Sequence, residues 1–301
     1  MKVFIVGGTG FVGVNLASRL RARGDAVTVM GQSPARPRGL DEAVPIVAGD
    51  ARFPGAWQES IAGHDVVVNL AGASIFTRWS DAAKKVIRES RILTTRNVVD
   101  ALPAGAGVTL VSTSAVGYYG FHGDEEIGED GGPGTDFLAR LCVDWEGEAR
   151  RATERGARVV ITRFGIVLGP GGGVLGQMAP LFKLGLGGPL GSGRQWLSWV
   201  HVDDLFEAML HVTGRSGDGG AYNLTAPAPV TNRELTRELA RVLRRPAFLP
   251  APSFAVRLVL GEFGNVILKG QRVLPRRLLA EGFTFRYPTM ASALDALAPT
   301  L

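Results

Sequence analysis

The chain contains a single cysteine, Cys142, among its 301 residues. One thiol excludes a disulfide within the chain and any metal site built from several cysteines, and it is typical of a reducing compartment. No apolar run approaches the ~20 residues of a membrane-spanning helix. The N-terminal apolar run is also shorter than the core of a signal peptide. We therefore expect a cytoplasmic protein with no membrane partner and no metal.

The positive charge is modest and dispersed. The chain has 33 lysines and arginines against 28 acids, a net charge of +5, and the arginines form no dense basic run. This pattern argues against a nucleic-acid partner. The 41 glycines gather in loops, which favours close approach of backbone to a ligand. The expected partner is a small molecule, bound by a monomer or a homodimer.

Short apolar runs alternate with helical patterns over the first half of the chain. The run Lys2–Val6 ends in glycine, and Phe11 to Arg23 has helical spacing up to Gly24. Further strand-like runs are Ala26–Met30, Val44–Val47, Val66–Leu70, Val108–Ser112 and Val159–Phe164, and helical patterns occupy 80–102 and 136–155. This alternation predicts an α/β fold, a Rossmann doubly wound parallel sheet.

The composition of the sequence changes at Gly169, where glycine-rich stretches that we interpret as loops begin. A strand-like W-L-S-W-V-H-V follows, and the chain is mostly helical in pattern from about 228. We expect a dinucleotide-binding domain of residues 1–169, rejoined by about 199–226. Residues 170–198 and 227–301 then form a smaller, mostly helical substrate domain.

The most specific motif is G-G-T-G-F-V-G at residues 7–13. Its glycines have the G-x-x-G-x-x-G spacing, directly after the first strand and opening the first helix. They permit a sharp turn, close approach to a pyrophosphate, and tight helix–strand packing. The phosphates then lie at a helix N-terminus, which favours anions. The loop residues expected to contact a dinucleotide are Gly7, Thr9, Gly10, Phe11, Val12 and Gly13.

The end of the second strand indicates which dinucleotide is bound. An NAD site usually places an acid there to hold the ribose hydroxyls, but no acid occurs from Ala26 through Leu40. Gln32 and Ser33 can form hydrogen bonds, and Arg36 or Arg38 can face a 2′-phosphate. NADP(H) is therefore expected over NAD(H), although the arginines are also compatible with a solvated loop.

These motifs together resemble the extended short-chain dehydrogenase/reductases, the fold of nucleotide-sugar epimerases and dehydratases. The matching pieces are G-G-T-G-F-V-G, G-D at 49–50, N-L-A-G at 69–72, V-S-T-S at 111–114, R-F-G-I-V-L-G-P-G at 163–171, W-V-H-V-D-D-L at 199–205 and Y-N-L at 222–224. More narrowly, G-L-G-G-P-L-G-S-G-R-Q-W and the C-terminal tail resemble an uncharacterised "epimerase family" branch with its own short C-terminal domain.

The resemblance implies roles for residues at the ends of the strands. By position, Asp50 and Ala51 approach the adenine. The other positions implied to line the cofactor are Leu70, Ala71, Gly72, Arg91 and Val167. Asp50 is also compatible with a turn cap, and Arg91 with a surface arginine.

One expected feature of that superfamily is missing. Most members carry a tyrosine and a lysine one helical turn apart, and the lysine helps the phenol, whose ordinary pKa is about 10, to ionise. Here no tyrosine lies between Tyr119 and Tyr222, and no lysine between Lys85 and Lys183. Depending on the register, the helix offers Phe137 and Leu141, or Leu138 and Cys142, in their place.

The resemblance leaves other residues for the chemistry. Ser114 matches the hydroxyl residue that orients the substrate oxygen, and Tyr118 and Tyr119 follow it closely enough to replace the missing phenol. Both tyrosines are equally compatible with packing in their loop. Arg194 matches a region that often binds a substrate diphosphate, and a guanidinium suits phosphate oxygens. Arg78 is expected to border the same pocket.

Two functions follow from these residues. The first is an NADP(H)-dependent epimerase or reductase-like enzyme acting on a small polar, nucleotide-sugar-like substrate. The second is a catalytically degraded sensor or scaffold that binds NADPH without turnover, which the missing dyad favours.

Overall fold

The centre of the molecule is a seven-stranded parallel sheet. The computed structural model describes residues 1–105, 107–170, 172–214, 217 and 219–301. In chain order the strands are β1 (Lys2–Val6), β2 (Ala26–Gly31), β3 (Ile46–Ala48), β4 (Val66–Asn69), β5 (Thr109–Ala115), β6 (Glu126–Ile127), β7 (Arg158–Phe164), β8 (Ile166–Leu168), β9 (Trp196–Leu197), β10 (Trp199–His201), β11 (Gly220–Leu224), β12 (Val230–Thr231) and β13 (Arg272–Val273). The strand order of the large sheet is β11-β7-β5-β4-β1-β2-β3, and each neighbouring pair is parallel.

This order reverses between β1 and β4. In doubly wound sheets, ligands bind outside the carboxyl ends of the strands at such a switch point. The glycine motif follows β1, and the segment 70–72 follows β4. The predicted fold class is therefore confirmed, and the fold places both segments at one crevice.

Helices cover both faces of the sheet, which is why its central strands are apolar throughout; all four residues of β4 are buried. The helices are α1 (Phe11–Ala22), α2 (Asp81–Ala101), α3 (Phe137–Arg150), α4 (Gly173–Lys183), α5 (Val202–Gly214), α6 (Asn232–Leu243), α7 (Ser253–Leu260), α8 (Phe263–Leu268), α9 (Arg276–Ala280) and α10 (Met290–Leu297). The helix expected over 136–155 begins after Asp136, whose carboxylate accepts from two backbone amides. Its last residues, Arg151–Arg155, tighten into a 3₁₀ turn.

A second core lies beside the sheet. Apolar residues of α4, α6 and α10 pack together with Leu168 and Trp199, the latter only 1% exposed. The short pairs β8–β10 and β9–β12 lead the chain from the sheet into this core.

The C-terminal segment returns to the sheet. The strand β13 pairs with β6, and Leu278 and Phe285 are buried in the same core as β1 and β2. The backbone amides of Arg286 and Tyr287 both donate to the carboxylate of Asp204 at the start of α5, at 2.8 and 2.9 Å. The last helices are thereby joined to the sheet by packing and by hydrogen bonds.

Candidate dinucleotide site and its buried polar network

The glycine loop has a backbone that side chains would disrupt. Gly7 has a φ of 76°, and a Cβ there would lie 2.9 Å from the backbone nitrogen of Ala71. A Cβ on Gly13 would lie 2.5 Å from the Cα of Gly8. The loop therefore packs directly against the end of β4 and against its own helix, as a pyrophosphate-binding loop requires.

The N-terminus of α1 is open to an anion. Gly10 is its cap, and among the described residues no side chain bonds to the cap and no acid lies in the first turn, which contains Phe11, Val12 and Gly13. The Thr9 side chain lies against Gly31 at the end of β2. Free amides and the helix dipole at such an end favour phosphate.

The segment after β2 contains no carboxylate before Asp41. Gln32 and Ser33 are exposed there. Arg36 donates to the backbone carbonyls of Asp41 and Val44 at 2.7 and 3.0 Å, so its guanidinium holds the loop. Arg38 is exposed and makes no hydrogen bond or ion pair with the part of the chain that the structure describes. Of the two arginines, Arg38 is the one whose guanidinium has no partner among the described residues.

Asp50 and Ala51 follow β3. Arg52 donates to both carboxylate oxygens of Asp50, and these bonds hold the pKa of Asp50 below its ordinary value. Ala51 is buried, and its carbonyl accepts from the side chain of Asn97 at 2.9 Å. Asp50 is thus fixed in its ionised form beside the crevice.

Arg91 lies over the end of β4. It extends from α2, and a Cβ on Gly72 would lie 3.0 Å from its guanidinium carbon. Its Nη1 donates to the carbonyl of Ile87, and the ring of Trp145 lies 5.3 Å away. Burial lowers the pKa of Arg91, and no acid pairs with it among the described residues. A largely buried cation without a carboxylate partner is suited to an anionic ligand.

Leu70 and Ala71 lie next to Gly72 at the carboxyl end of β4, and both are partly exposed. The amide of Ala71 donates to the side chain of Asn69. Val167 lies in β8, beyond the end of β7, and is also partly exposed. The ring of Phe11 approaches Gly169 from the glycine loop. That these positions contact the cofactor stays a prediction from the resemblance.

A buried polar network underlies the end of β5. The Ser114 hydroxyl donates to Oε1 of Glu146 at 2.8 Å. Arg163 donates to both carboxylate oxygens of Glu146, at 2.8 and 2.9 Å, and Arg150 adds a third cationic donor from the surface. Burial alone would lower the pKa of Arg163, but the hydrogen bonds and charge of Glu146 raise it. Because the one hydrogen of Ser114 is directed to Glu146, its oxygen is left to accept.

Tyr119 belongs to this network rather than to the crevice. It is fully buried, its hydroxyl donates to Asn223 at 2.7 Å, and it accepts from Arg163 at 2.8 Å. Burial raises the pKa of Tyr119 to about 12. This placement differs from the expectation that Tyr119 replaces the missing phenol. Tyr118 is only partly buried, and the Arg163 guanidinium lies 3.6 Å from the centre of its ring.

The register of α3 is now defined. Leu138 packs against Gly117: a Cβ placed on Gly117 would lie 3.4 Å from the Cβ of Leu138. The Cys142 thiol points to the carbonyl of Ala115, whereas Leu141 is buried in an apolar cluster with Trp145, against which Leu138 also packs. Burial raises the pKa of Cys142 to about 11, so it is a poor nucleophile. Leu138 and Cys142 therefore face the end of β5, where the sequence left two registers open.

The two arginines expected to bind substrate lie in separate segments. Arg78 is exposed and lies against Gly261 in the turn between α7 and α8. Arg194 is exposed in the loop before β9, where its amide donates to the hydroxyl of Ser192 at 3.2 Å. The structure shows no contact between them.

Sequence reasoning missed most of the polar network. Glu146 was not among the expected site residues, and Arg163 appeared only as the first residue of the motif at 163–171. Glu129 was not considered, yet its partly buried carboxylate accepts from the amides of Asn223 and Arg277, and burial raises its pKa. The available signal was a charged residue on the apolar side of a helix and another at the end of a buried strand.

The helices of the described residues include none long and apolar enough to cross a membrane. No group of histidine, cysteine and acidic side chains in the same residues is arranged to hold a metal ion.

Comparison with known proteins gives consistent matches. A model of the NAD dependent epimerase/dehydratase family matches residues 3–225, and a model of a domain of unknown function matches residues 251–297. The chloroplastic homolog of epimerase family protein SDR39U1 from Arabidopsis thaliana is 42% identical over 308 residues, covering 99% of this chain and 86% of its own.

Solved structures show the same likeness. The human epimerase family protein SDR39U1, solved with NADPH, has a TM-score of 0.87 and 35% identity, and the match covers 100% of both chains. The UDP-glucose 4-epimerase of Thermus thermophilus, solved with NAD, has a TM-score of 0.81 at 22% identity, covering 100% of this chain and 98% of that one. At that identity the second likeness shows the fold alone.

Proposed function

Because the chain belongs to the NAD dependent epimerase/dehydratase family, within the epimerase-family branch of the extended short-chain dehydrogenase/reductases, we propose that it binds NADP(H). We propose further that it acts as an epimerase or reductase-like enzyme on a small polar substrate. The proposal depends on the glycine loop. Its backbone packs directly against the end of β4, and it leads into the N-terminus of α1, which no side chain caps. Such a loop accommodates a dinucleotide pyrophosphate.

Three further observations favour NADP(H). The segment after β2 has no acid for the ribose hydroxyls before Asp41, and Arg38 is free there to meet a 2′-phosphate. Arg91 supplies a largely buried cation beside Gly72. The human relative was solved with NADPH. When bound, the nicotinamide supplies the hydride chemistry.

Titration with NADPH and NADH tests the cofactor. We expect NADPH to bind at least about tenfold more tightly, a difference of about 1.4 kcal/mol, and Arg38→Ala to reduce this preference because it removes a cation near the 2′-phosphate. Arg140→Ala, an exposed arginine on α3, is the control and should leave the preference unchanged. Calorimetry measures both affinities, and mass spectrometry identifies any nucleotide that co-purifies. Absence of binding by either nucleotide would refute the cofactor proposal.

The proton chemistry of this proposal belongs to Ser114 and Tyr118. Ser114 is the proposed orienting hydroxyl for a substrate oxygen because of its place at the end of β5. Its own hydrogen goes to Glu146 and the residue is only 1% exposed, so a substrate oxygen would have to enter the edge of the network to reach it. Tyr118 is the phenol that remains partly exposed, and the Arg163 guanidinium lies 3.6 Å from the centre of its ring. Arg194 and Arg78 are the proposed anchors for an anionic group of a nucleotide-sugar-like substrate.

Replacing Tyr118 with phenylalanine tests this assignment once a substrate is identified. We expect kcat to fall by about 100-fold or more, as for loss of a general acid or base, while the affinity for NADPH stays constant. Steady-state kinetics and the titration above measure the two effects. Unchanged turnover would remove Tyr118 from the mechanism.

The second candidate, an NADPH-binding sensor or scaffold, is favoured by one observation. The helix face that carries a tyrosine and a lysine in most of the superfamily presents Leu138 and Cys142 here, both packed against the end of β5. Under this alternative, NADPH binds but is not oxidised with any substrate that relatives of the family accept. Detectable NADPH oxidation, measured at its absorbance band, would exclude it.

A further inference from the structure

A second concave surface lies away from the glycine loop, between α6, the segment 244–250 and the loop 189–192. Its volume is about 800 Å³, within the range of about 300–1,000 Å³ that small-molecule sites occupy. We call it the arginine groove, because five arginines line it: Arg233, Arg237, Arg241, Arg244 and Arg245. None of the residues assigned above to the dinucleotide, to Ser114 or to Tyr118 lines it.

The charges in the arginine groove are only partly compensated. Arg241 pairs with Glu238 and Asp295, both at 2.8 Å. Arg237 reaches only its neighbour Glu238, at 3.4 Å. Arg244 and Arg245 are exposed, and their side chains make no ion pair or hydrogen bond with the described residues. Two guanidinium groups therefore remain available to an anion.

The backbone at Arg244 adds an independent observation. Its φ is 52°, and it is the one non-glycine residue with a positive φ in the described part of the chain. It ends α6 in the left-handed conformation that glycine adopts without strain. The backbone conformation alone would favour glycine at this position. The arginine side chain therefore has a role other than forming the turn.

The remaining lining adds apolar and polar groups. Phe248 is 73% exposed, and it flanks the groove together with Pro246 and Pro250. Thr236 is only 3% exposed, and its buried hydroxyl has no hydrogen-bond partner in the described residues. Guanidinium groups favour phosphate oxygens because their paired donors match two oxygens at once. An anion that also carries an apolar part fits this combination.

We propose that the arginine groove is a second ligand site, which binds a small phosphorylated molecule independently of the dinucleotide. Its two walls are joined by backbone hydrogen bonds, from Gly191 to the carbonyl of Ala251 at 2.8 Å and from Ala251 to the carbonyl of Pro189 at 3.0 Å. The groove is therefore a fixed part of the fold rather than a gap between separate loops.

Calorimetric titration of the full chain with tripolyphosphate, at saturating NADPH and low ionic strength, tests this site. We expect one binding event per chain, with a Kd on the order of 100 µM or lower. In the Arg244→Gly/Arg245→Ala variant, binding should weaken by at least about tenfold. Glycine relieves the left-handed strain, so the melting temperature of this variant should not fall because of residue 244.

The matched control is Arg88→Ala/Arg151→Ala. It removes the same charge from two exposed arginines on other surfaces, which pair with Asp144 and Asp100, and it should retain tripolyphosphate binding. Equal weakening by both variants would show only diffuse attraction and would overturn the proposal, as would absence of binding to the wild-type chain. A single-stranded oligonucleotide that bound at least about tenfold more tightly through Arg244 and Arg245 would overturn the small-molecule assignment.

Discussion

Replacing Glu146 with alanine is expected to lower the free energy of unfolding by about 3–5 kcal/mol. The carboxylate is buried and accepts from both Arg163 donors and from Ser114. Its loss would leave the Arg163 guanidinium, itself 2% exposed, without a compensating charge. Breaking a buried pair by removing one partner has this cost because the other charge stays desolvated. Urea denaturation followed by circular dichroism measures the change.

The chain offers a control that touches the same carboxylate. Arg150 also donates to Glu146 at 2.8 Å, but its side chain is 52% exposed. Arg150→Ala should therefore cost no more than about 1 kcal/mol. Replacing both Glu146 and Arg163 by methionine should cost less than Glu146→Ala alone, because no unpaired buried charge remains. Similar losses for Glu146→Ala and Arg150→Ala would contradict the proposed role of burial.

The second large effect concerns Gly13. Alanine at this position should weaken NADPH binding by about 100-fold or more, which corresponds to about 2.8 kcal/mol. Its Cβ would lie 2.5 Å from the Cα of Gly8 and 2.6 Å from the carbonyl oxygen of Gly7. Both contacts are with backbone, so the loop itself must move away from the phosphate-binding position. Calorimetric titration with NADPH measures the affinity.

Gly147 provides the matched glycine control. It lies within α3, and apart from the adjoining backbone of that helix no described atom lies within 4 Å of a Cβ placed there. Gly147→Ala should leave NADPH affinity unchanged and raise the free energy of unfolding by about 0.5–1 kcal/mol, because alanine favours a helix interior. Retention of full NADPH affinity by Gly13→Ala would disprove the assignment of this loop.

Local patterns predicted the fold and the glycine loop because both depend on nearby residues. The strand, loop and helix around Gly7 to Gly13 are specified by apolar spacing and by glycine positions. The register of α3 was different, since spacing alone cannot show whether Leu141 or Cys142 faces β5. Packing of Leu138 against Gly117 determines that choice.

Long-range pairs were beyond sequence reasoning. Arg163 and Glu146 lie 17 residues apart on a strand and a helix, and no local rule says that they meet. Tyr119 was expected near the cofactor because it follows Ser114, but the 3₁₀ turn over Val116–Tyr119 directs it to Asn223, 104 residues away. The sequence did not predict the arginine groove, because each of its arginines alone is typical of the solvated face or the C-terminal end of a helix.

The return of the C-terminal segment to the sheet has an evolutionary consequence. The two family models leave a gap between residues 225 and 251, which invites the idea of two exchangeable modules. Leu278 and Phe285, however, complete the core of the first module, and Asp204 of α5 binds the amides of Arg286 and Tyr287. A chimera that takes its tail from a distant relative would therefore inherit mismatched core surfaces. Substitutions in α5 and in the segment 272–287 are therefore expected to accumulate together, because each changes the surface on which the other packs.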